Sequence, residues 1–117
     1  MTTSRPIVCV DLNGVLDSYT GWQGPKHFDP PRPGARTFLD ALAARGYAVV
    51  VFTTRYPDDV WAWLREFELE SLVTEVTDRK PPAHVFVDDR AVCFRGDFAA
   101  TLRAIEAFTA HWEDPHT

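Results

Sequence analysis

Three short apolar runs in this chain each end on polar residues. Ile7 to Val10 is followed by Asp11, Ala48 to Phe52 by Thr53, Thr54 and Arg55, and Val85 to Val87 by Asp88, Asp89 and Arg90. Lys80 precedes the last run, within Arg79-Lys80-Pro81-Pro82. The inventory is a lone carboxylate, hydroxyls, an ammonium and a pair of carboxylates. Clustered carboxylates raise one another's pKa unless a cation sits among them. Oxygen ligands without His or Cys suit a hard ion, most simply Mg2+. A metal at Asp11, Asp88 and Asp89, beside Lys80 and Thr53, makes a site for a phosphoryl group. The cations neutralise its charge and the hydroxyl donates a hydrogen bond. Asp11 can then attack phosphorus and form a covalent aspartyl-phosphate. Thr54, Arg55 and Arg90 border the same pocket as substrate-binding candidates. Each guanidinium can grip a phosphate or carboxylate bidentately, or serve as a structural ion-pair partner.

These residues converge only if the apolar runs are neighbouring parallel strands. The runs do not alternate with polar residues, which fits strands buried on both faces. A weaker fourth candidate spans Leu72 to Val76. Between them lie helical patterns. Ala35, Phe38, Leu39, Leu42 and Ala43 share a face, with Gly46 as the stop. Asp58 is expected to cap a second helix carrying Val60, Leu64 and Phe67. Asp97 is expected to cap a third, with Phe98, Leu102, Ile105, Phe108 and Trp112 down one side. The order predicts an α/β, Rossmann-like, doubly wound domain with a mostly parallel sheet and helices on both faces. In such sheets ligands bind at the carboxyl edge, where all the polar sets would meet. Residues 13–33, rich in Gly, Pro and aromatics, break the rhythm and predict an irregular turn plus a short hairpin or flap. Trp22 is the flap aromatic best suited to act as a substrate platform, and Tyr19 and Phe28 are expected to pack the flap. Trp61 and Trp63, two apart on a helix, cannot share a face, so one is expected to be exposed as a hint of self-association.

Asp11-Leu12-Asn13-Gly14-Val15-Leu16, Thr53, Lys80 and Asp88-Asp89 resemble the four ordered motifs of the haloacid dehalogenase-like (HAD) superfamily. The resemblance covers about residues 7–95. It implies a Rossmann-like fold with a turn and flap after the first strand, Mg2+, and an Asp nucleophile, most often for phosphomonoester hydrolysis. Val87-Asp88-Asp89-Arg90 also resembles the phosphatase domains of polynucleotide kinase-phosphatases. Carried over, Asp11 is nucleophile and metal ligand, and position 13 offers its backbone carbonyl to the metal. Thr53 holds a phosphoryl oxygen, Lys80 balances charge, and Asp88 and Asp89 bind Mg2+. No room for a cap lies between Thr53 and Lys80, so residues 1–117 read as a single capless domain.

Position 13 departs from the family pattern. Family phosphatases usually carry a second Asp there as general acid and base, whereas an amide can neither protonate a leaving alkoxide nor deprotonate water. General acid–base catalysis contributes about 10²- to 10⁴-fold, so alkyl phosphates should suffer most and aryl or acyl phosphates least. Three readings stay open. Another group such as Asp17 or Asp78 substitutes; or the chain is a catalytically weak phospholigand-binding or interaction protein; or Asn13 is an altered residue in a trapped enzyme. Deamidation of Asn13-Gly14 to Asp is a further hypothesis.

Composition sets the outer bounds. The chain has 117 residues, 45% hydrophobic and 25% charged, enough for one domain with a real core. The formal net charge of -5 argues against general affinity for nucleic acid or anionic membranes. A phosphorylated small molecule or nucleotide is the expected partner. A nucleic-acid terminus requires a local basic patch around Arg55, Arg79 and Arg90, and a homo-oligomer is compatible with the sequence. No apolar run approaches the roughly 20 residues of a membrane span. The N-terminus lacks an apolar stretch, so no signal peptide is expected. Cys9 and Cys93 read as reduced thiols of a cytoplasmic protein. His27 reads as a solvated loop residue, and His84, His111 and His116 have no ligand spacing.

Two rival architectures fit less well. A response-regulator receiver needs the acidic pair first and the single Asp mid-chain, the reverse of what is present. A nucleotide-binding oxidoreductase needs a Gly-rich turn after the first strand, which Gly14 alone does not supply. Hydrolytic dehalogenation uses the same nucleophile but has no need of the carboxylate pair.

Overall fold

Val8, Val10, Val49, Val51 and Val76 belong to one buried apolar cluster with Leu39, Val60, Trp63 and Leu64. Alternate residues of a strand share a face, so these valines form one side of a sheet that helices must cover. In the computed structural model, which describes residues 5–113, the strands are β1 (Ile7–Asp11), β2 (Ala48–Phe52), β3 (Glu75–Thr77) and β4 (Val85–Val87). All are parallel, in the order β3-β2-β1-β4. The helices are α1 (Ala35–Ala44), α2 (Pro57–Glu66) and α3 (Phe98–Glu106). This is the expected Rossmann-like α/β fold. The expectations at residues 1–4 and at His116 lie outside the described residues.

Several boundaries differ from expectation. The weak fourth run is a short 3₁₀ turn at Glu70–Leu72 followed by β3, which starts only at Glu75. Helix α2 begins at Pro57 with Tyr56 as N-cap, so Asp58 sits in the first turn rather than capping. Pro at the first helical position sets this start, because its missing N–H would be unpaired there anyway. In α1, Ala35 and Leu39 are buried and Leu42 packs against the core, while Phe38 is exposed at the margin of the stripe. The Gly46 stop is observed: its N–H donates to the Ala43 carbonyl at 3.0 Å, with φ +85°. Trp63 is buried and its indole N–H donates to the Asp29 carbonyl at 2.9 Å. Trp61 is half-buried against the core, so neither tryptophan of α2 is the exposed one expected.

The largest departure is α3. Asp97 caps it as expected, accepting from the Ala100 N–H at 3.1 Å. The helix ends at Glu106, however, and none of its residues is buried. Phe98, Leu102 and Ile105, expected as its packing stripe, are exposed at 82%, 58% and 57%. Phe108 and Trp112 lie beyond its end.

Cys9 is buried and Cys93 exposed, both free. Burial, then the charges of Asp11 and Asp88, push the Cys9 thiol up, which leaves it a poor nucleophile. Among the described residues no helix is long and apolar enough to cross a membrane.

Candidate active site

Register brings the polar strand ends together. Val10 pairs with Val87 and Asp11 with Phe52, so Asp11, Asp88 and Thr53 arrive at one carboxyl edge. The chain runs outward from β1 through β2 to β3, then returns to place β4 on the other side of β1. Asp11 and Asp88-Asp89 therefore flank the point where strand order reverses, where open α/β sheets form a crevice.

Asp11, Asp88 and Asp89 each present a carboxylate oxygen, all within 4.8 Å of one another. Burial is the main cause that pushes Asp11 up, to about 8. Its hydrogen bond with Asp89 and the charges of Asp88 and Asp89 add to it. Oδ1 of Asp89 is buried with no hydrogen-bond partner. A buried, unpaired carboxylate oxygen is costly, and a small hard cation among three carboxylates removes that cost. The donor set, all oxygen, fits Mg2+. The turn after β1 lets the carboxylates approach: Gly14 has φ +90°, and a Cβ there would collide with the Asp89 carboxylate.

The remaining predicted residues divide by position. Lys80 lines a cavity of about 260 Å3 with Asp11, Asp88 and Phe86, its ammonium 4.7 Å from the Phe86 ring centre. Asn13, Thr54 and Arg90 line an adjoining cleft of about 320 Å3 that also reaches Asp11, Asp88 and Asp89. Thr53 lies beneath, buried, with its hydroxyl accepting the Arg55 N–H at 3.0 Å. That acceptance leaves the hydroxyl proton for another acceptor.

Arg55 turns away from the cleft. It is 6% exposed. Its Nε donates to Asn13 Oδ1 at 3.2 Å and its Nη1 to the Pro25 carbonyl at 3.0 Å. The guanidinium also lies 5.0 Å from the Trp22 ring centre and 4.3 Å from that of Phe28. Arg55 thus takes the structural alternative, tying the flap to the end of β2 by cation–π contact and charge-assisted hydrogen bonds. With Arg55 buried and Arg90 paired to Glu113 at 3.0 Å, the three arginines expected as a basic patch do not form one open cationic surface.

Asn13 is held from both ends. Its Nδ2 donates to Asp17 Oδ2 at 2.6 Å while its Oδ1 accepts from Arg55. Asp17 is 1% exposed, and its Oδ1 also accepts from the N–H groups of Gly14 and Tyr19 at 2.8 and 3.1 Å. Burial pushes Asp17 up, against these hydrogen bonds. The flap hairpin reduces to one antiparallel bridge, Asp17 with Pro31, which brings the Ser18 N–H to Pro30 at 2.9 Å. Asp78, the other substitute considered, is exposed just past β3 and lines neither cavity. His27 pairs with Asp29 at 3.0 Å.

Sequence reasoning missed the C-terminal segment. The His111 Nε2–H donates to the Gly14 carbonyl at 2.7 Å, and the Trp112 indole N–H donates to Asp89 Oδ2. Trp112 meets Tyr19 edge-on with ring centres 4.9 Å apart, and Arg90 lies 5.6 Å from its ring centre. Trp112 therefore walls the cleft. The one available signal was a tryptophan at the end of a helical pattern that the chain abandons six residues earlier.

No protein-family model matches the chain, and no curated protein matches it. Among solved structures, a conserved protein coded by a locus from Bacteroides thetaiotaomicron is similar with a TM-score of 0.60. It has 18% identity, over 88% of this chain and 91% of that one. A chain of the Pnkp1/Rnl/Hen1 complex is similar at a TM-score of 0.49. It has 16% identity, over 96% of this chain and 38% of that one. The likeness to the first of these, at a TM-score of 0.60, shows a shared fold.

Proposed function

We propose that this chain is a Mg2+-dependent phosphomonoesterase of the HAD type, acting through Asp11. The observation that carries the reading is the convergence of Asp11, Asp88 and Asp89 within 4.8 Å at the switch point of a parallel sheet. The order of Asp11, Thr53, Lys80 and Asp88-Asp89 along the chain supports it. Asp11, Asp88 and Asp89 would hold the ion, which supplies charge neutralisation of the phosphoryl oxygens when bound. An Asp11 oxygen attacks phosphorus in line, the P–O bond to the ester oxygen breaks, and that oxygen leaves as alkoxide or phenoxide. Water then attacks the phosphorus of the aspartyl-phosphate, releasing phosphate and restoring the Asp11 carboxylate. Lys80 offsets charge at Asp11, and Thr53 has a hydroxyl proton for a phosphoryl oxygen.

A second reading rests on Asn13. Its amide is engaged by Asp17 and Arg55 and supplies no proton. Such a site binds a phosphorylated ligand and turns it over slowly, least slowly when the leaving group needs no protonation.

The test is hydrolysis of p-nitrophenyl phosphate, with Mg2+ and with excess chelator, by wild type and Asp11→Asn. The phosphatase reading expects turnover that both chelation and the substitution abolish. Absence of turnover together with Mg2+-dependent phosphate binding favours the second reading. Turnover retained by Asp11→Asn contradicts the mechanism.

A further inference from the structure

The cleft beside the carboxylates is walled by aromatic rings that phosphoryl transfer itself does not use. Tyr19 and Trp22 come from the flap and Trp112 from the C-terminal segment, and all three line the same space of about 320 Å3 as Asp11 and Asp89. Trp22 is 59% exposed, so its ring is open to a ligand that enters the cleft. It is also not loose. The buried Arg55 guanidinium lies 5.0 Å from its ring centre and donates to the Pro25 carbonyl, so the flap that carries Trp22 is anchored to the strand end. Trp112 is fixed by its hydrogen bond to Asp89 and by edge-on contact with Tyr19.

Two of the polar side chains that border these rings are already engaged. Asn13 is held by Asp17 and Arg55, and Arg90 pairs with Glu113. The wall therefore offers three π-faces, with the Thr54 and Tyr19 hydroxyls and the carboxylates as its remaining polar groups. The volume sits at the lower end of small-molecule pockets, about 300 to 1,000 Å3. It suits one flat ring plus a phosphoryl group better than a long chain.

We infer that the cleft binds the leaving group of a phosphomonoester whose alcohol carries a single planar aromatic ring, stacked on the Trp22–Tyr19–Trp112 wall. A pyrimidine nucleoside monophosphate and a simple aryl phosphate share this chemistry. The inference rests on the phosphoryl site proposed above for its anchoring point. It narrows the substrate, and for an aryl ester it accounts for how a site without a general acid at position 13 still serves. Phenoxide-type leaving groups need little protonation, whereas a nucleotide's alkoxide does.

The test uses phosphonates, which bind without being hydrolysed. Titration calorimetry of the full chain with Mg2+ compares benzylphosphonate, the phosphonate analogue of uridine 5′-monophosphate, and ethylphosphonate. At least one ring-bearing ligand is expected to bind about 10-fold or more tightly than ethylphosphonate. Trp22→Ala is expected to remove that preference and Trp22→Phe to keep most of it. The tighter of the two ring ligands identifies the source, aryl or nucleoside. Equal affinity for all three, no binding of any, or a preference unchanged in Trp22→Ala overturns the inference. Turnover of p-nitrophenyl phosphate by the same preparation is read separately. A ring preference without turnover removes the phosphatase reading and keeps the cleft, and turnover without a ring preference does the reverse.

Discussion

The side-chain amide of Asn13 donates to the buried carboxylate of Asp17 at 2.6 Å. This bond makes position 13 part of the scaffold of the turn after β1. An Asp at 13 would set a carboxylate oxygen against Asp17 Oδ2, where a donor now sits, inside a site with little access to water.

Asn13→Asp alone is therefore expected to destabilise the fold by about 1–3 kcal/mol, through loss of the bond and repulsion between the two carboxylates. The exchange Asn13→Asp with Asp17→Asn keeps the donor–acceptor pair with its polarity reversed. Oδ1 of an Asn at 17 still accepts from the Gly14 and Tyr19 N–H groups. Urea unfolding is expected to show stability largely recovered in the double variant. Its turnover of alkyl phosphates should exceed wild type by a factor on the order of 10² or more, if position 13 supplies the general acid. A double variant no more stable than Asn13→Asp would contradict the pairing.

The strands and α1 were legible because their signals are local. Unbroken Val-rich runs ending in Asp11, Thr53 and Asp88 fix both the sheet and the carboxyl edge where these residues meet. The Asn13–Asp17–Arg55 network was not legible, because it links residues 42 apart and depends on which way a buried guanidinium turns. The path of residues 107–113 was misread for a related reason. Helical periodicity continues through Phe108 and Trp112, but three long-range interactions compete with it. These are His111 with Gly14, Trp112 with Asp89, and Arg90 with Glu113. Together they outweigh the few tenths of a kcal/mol per residue that propensity supplies. The same competition explains how Trp112, expected on a helix face, becomes a wall of the cleft.

The contrast between α1 and α3 gives a stability prediction. Leu39 is fully buried in the cluster beneath the sheet, whereas Leu102 of α3 is 58% exposed. Leu39→Ala is expected to cost about 2–5 kcal/mol. Leu102→Ala is expected to stay within about 0.5 kcal/mol. Paired denaturant titrations measure both, and a large cost at Leu102 would place α3 against a surface in solution.

Asp11 carries the pH dependence. Its folded-state pKa is raised from 3.8 to about 8, first by burial and then by Asp89 and Asp88. The unfolded chain releases this proton near its ordinary value, so the folded state holds the extra proton between about pH 4 and 8. The stabilising contribution is fully present below about pH 4 and is lost as pH rises through about 8. A cation at the three carboxylates competes with that proton. The rise in Tm on adding Mg2+ is therefore expected to grow from about pH 5.5 to about 8.5. A Mg2+ effect that is flat or shrinks over that range would show that the ion does not bind at Asp11.

The central claim is that Asp11 takes the phosphoryl group. Mixing excess protein with p-nitrophenyl phosphate and Mg2+, quenching in acid within the turnover time, and mapping peptides by mass spectrometry tests it directly. The account predicts one phosphoryl adduct, on the peptide containing Asp11, acid-stable and lost in Asp11→Asn. Turnover with the adduct on another residue, or turnover undiminished in Asp11→Asn, would contradict it.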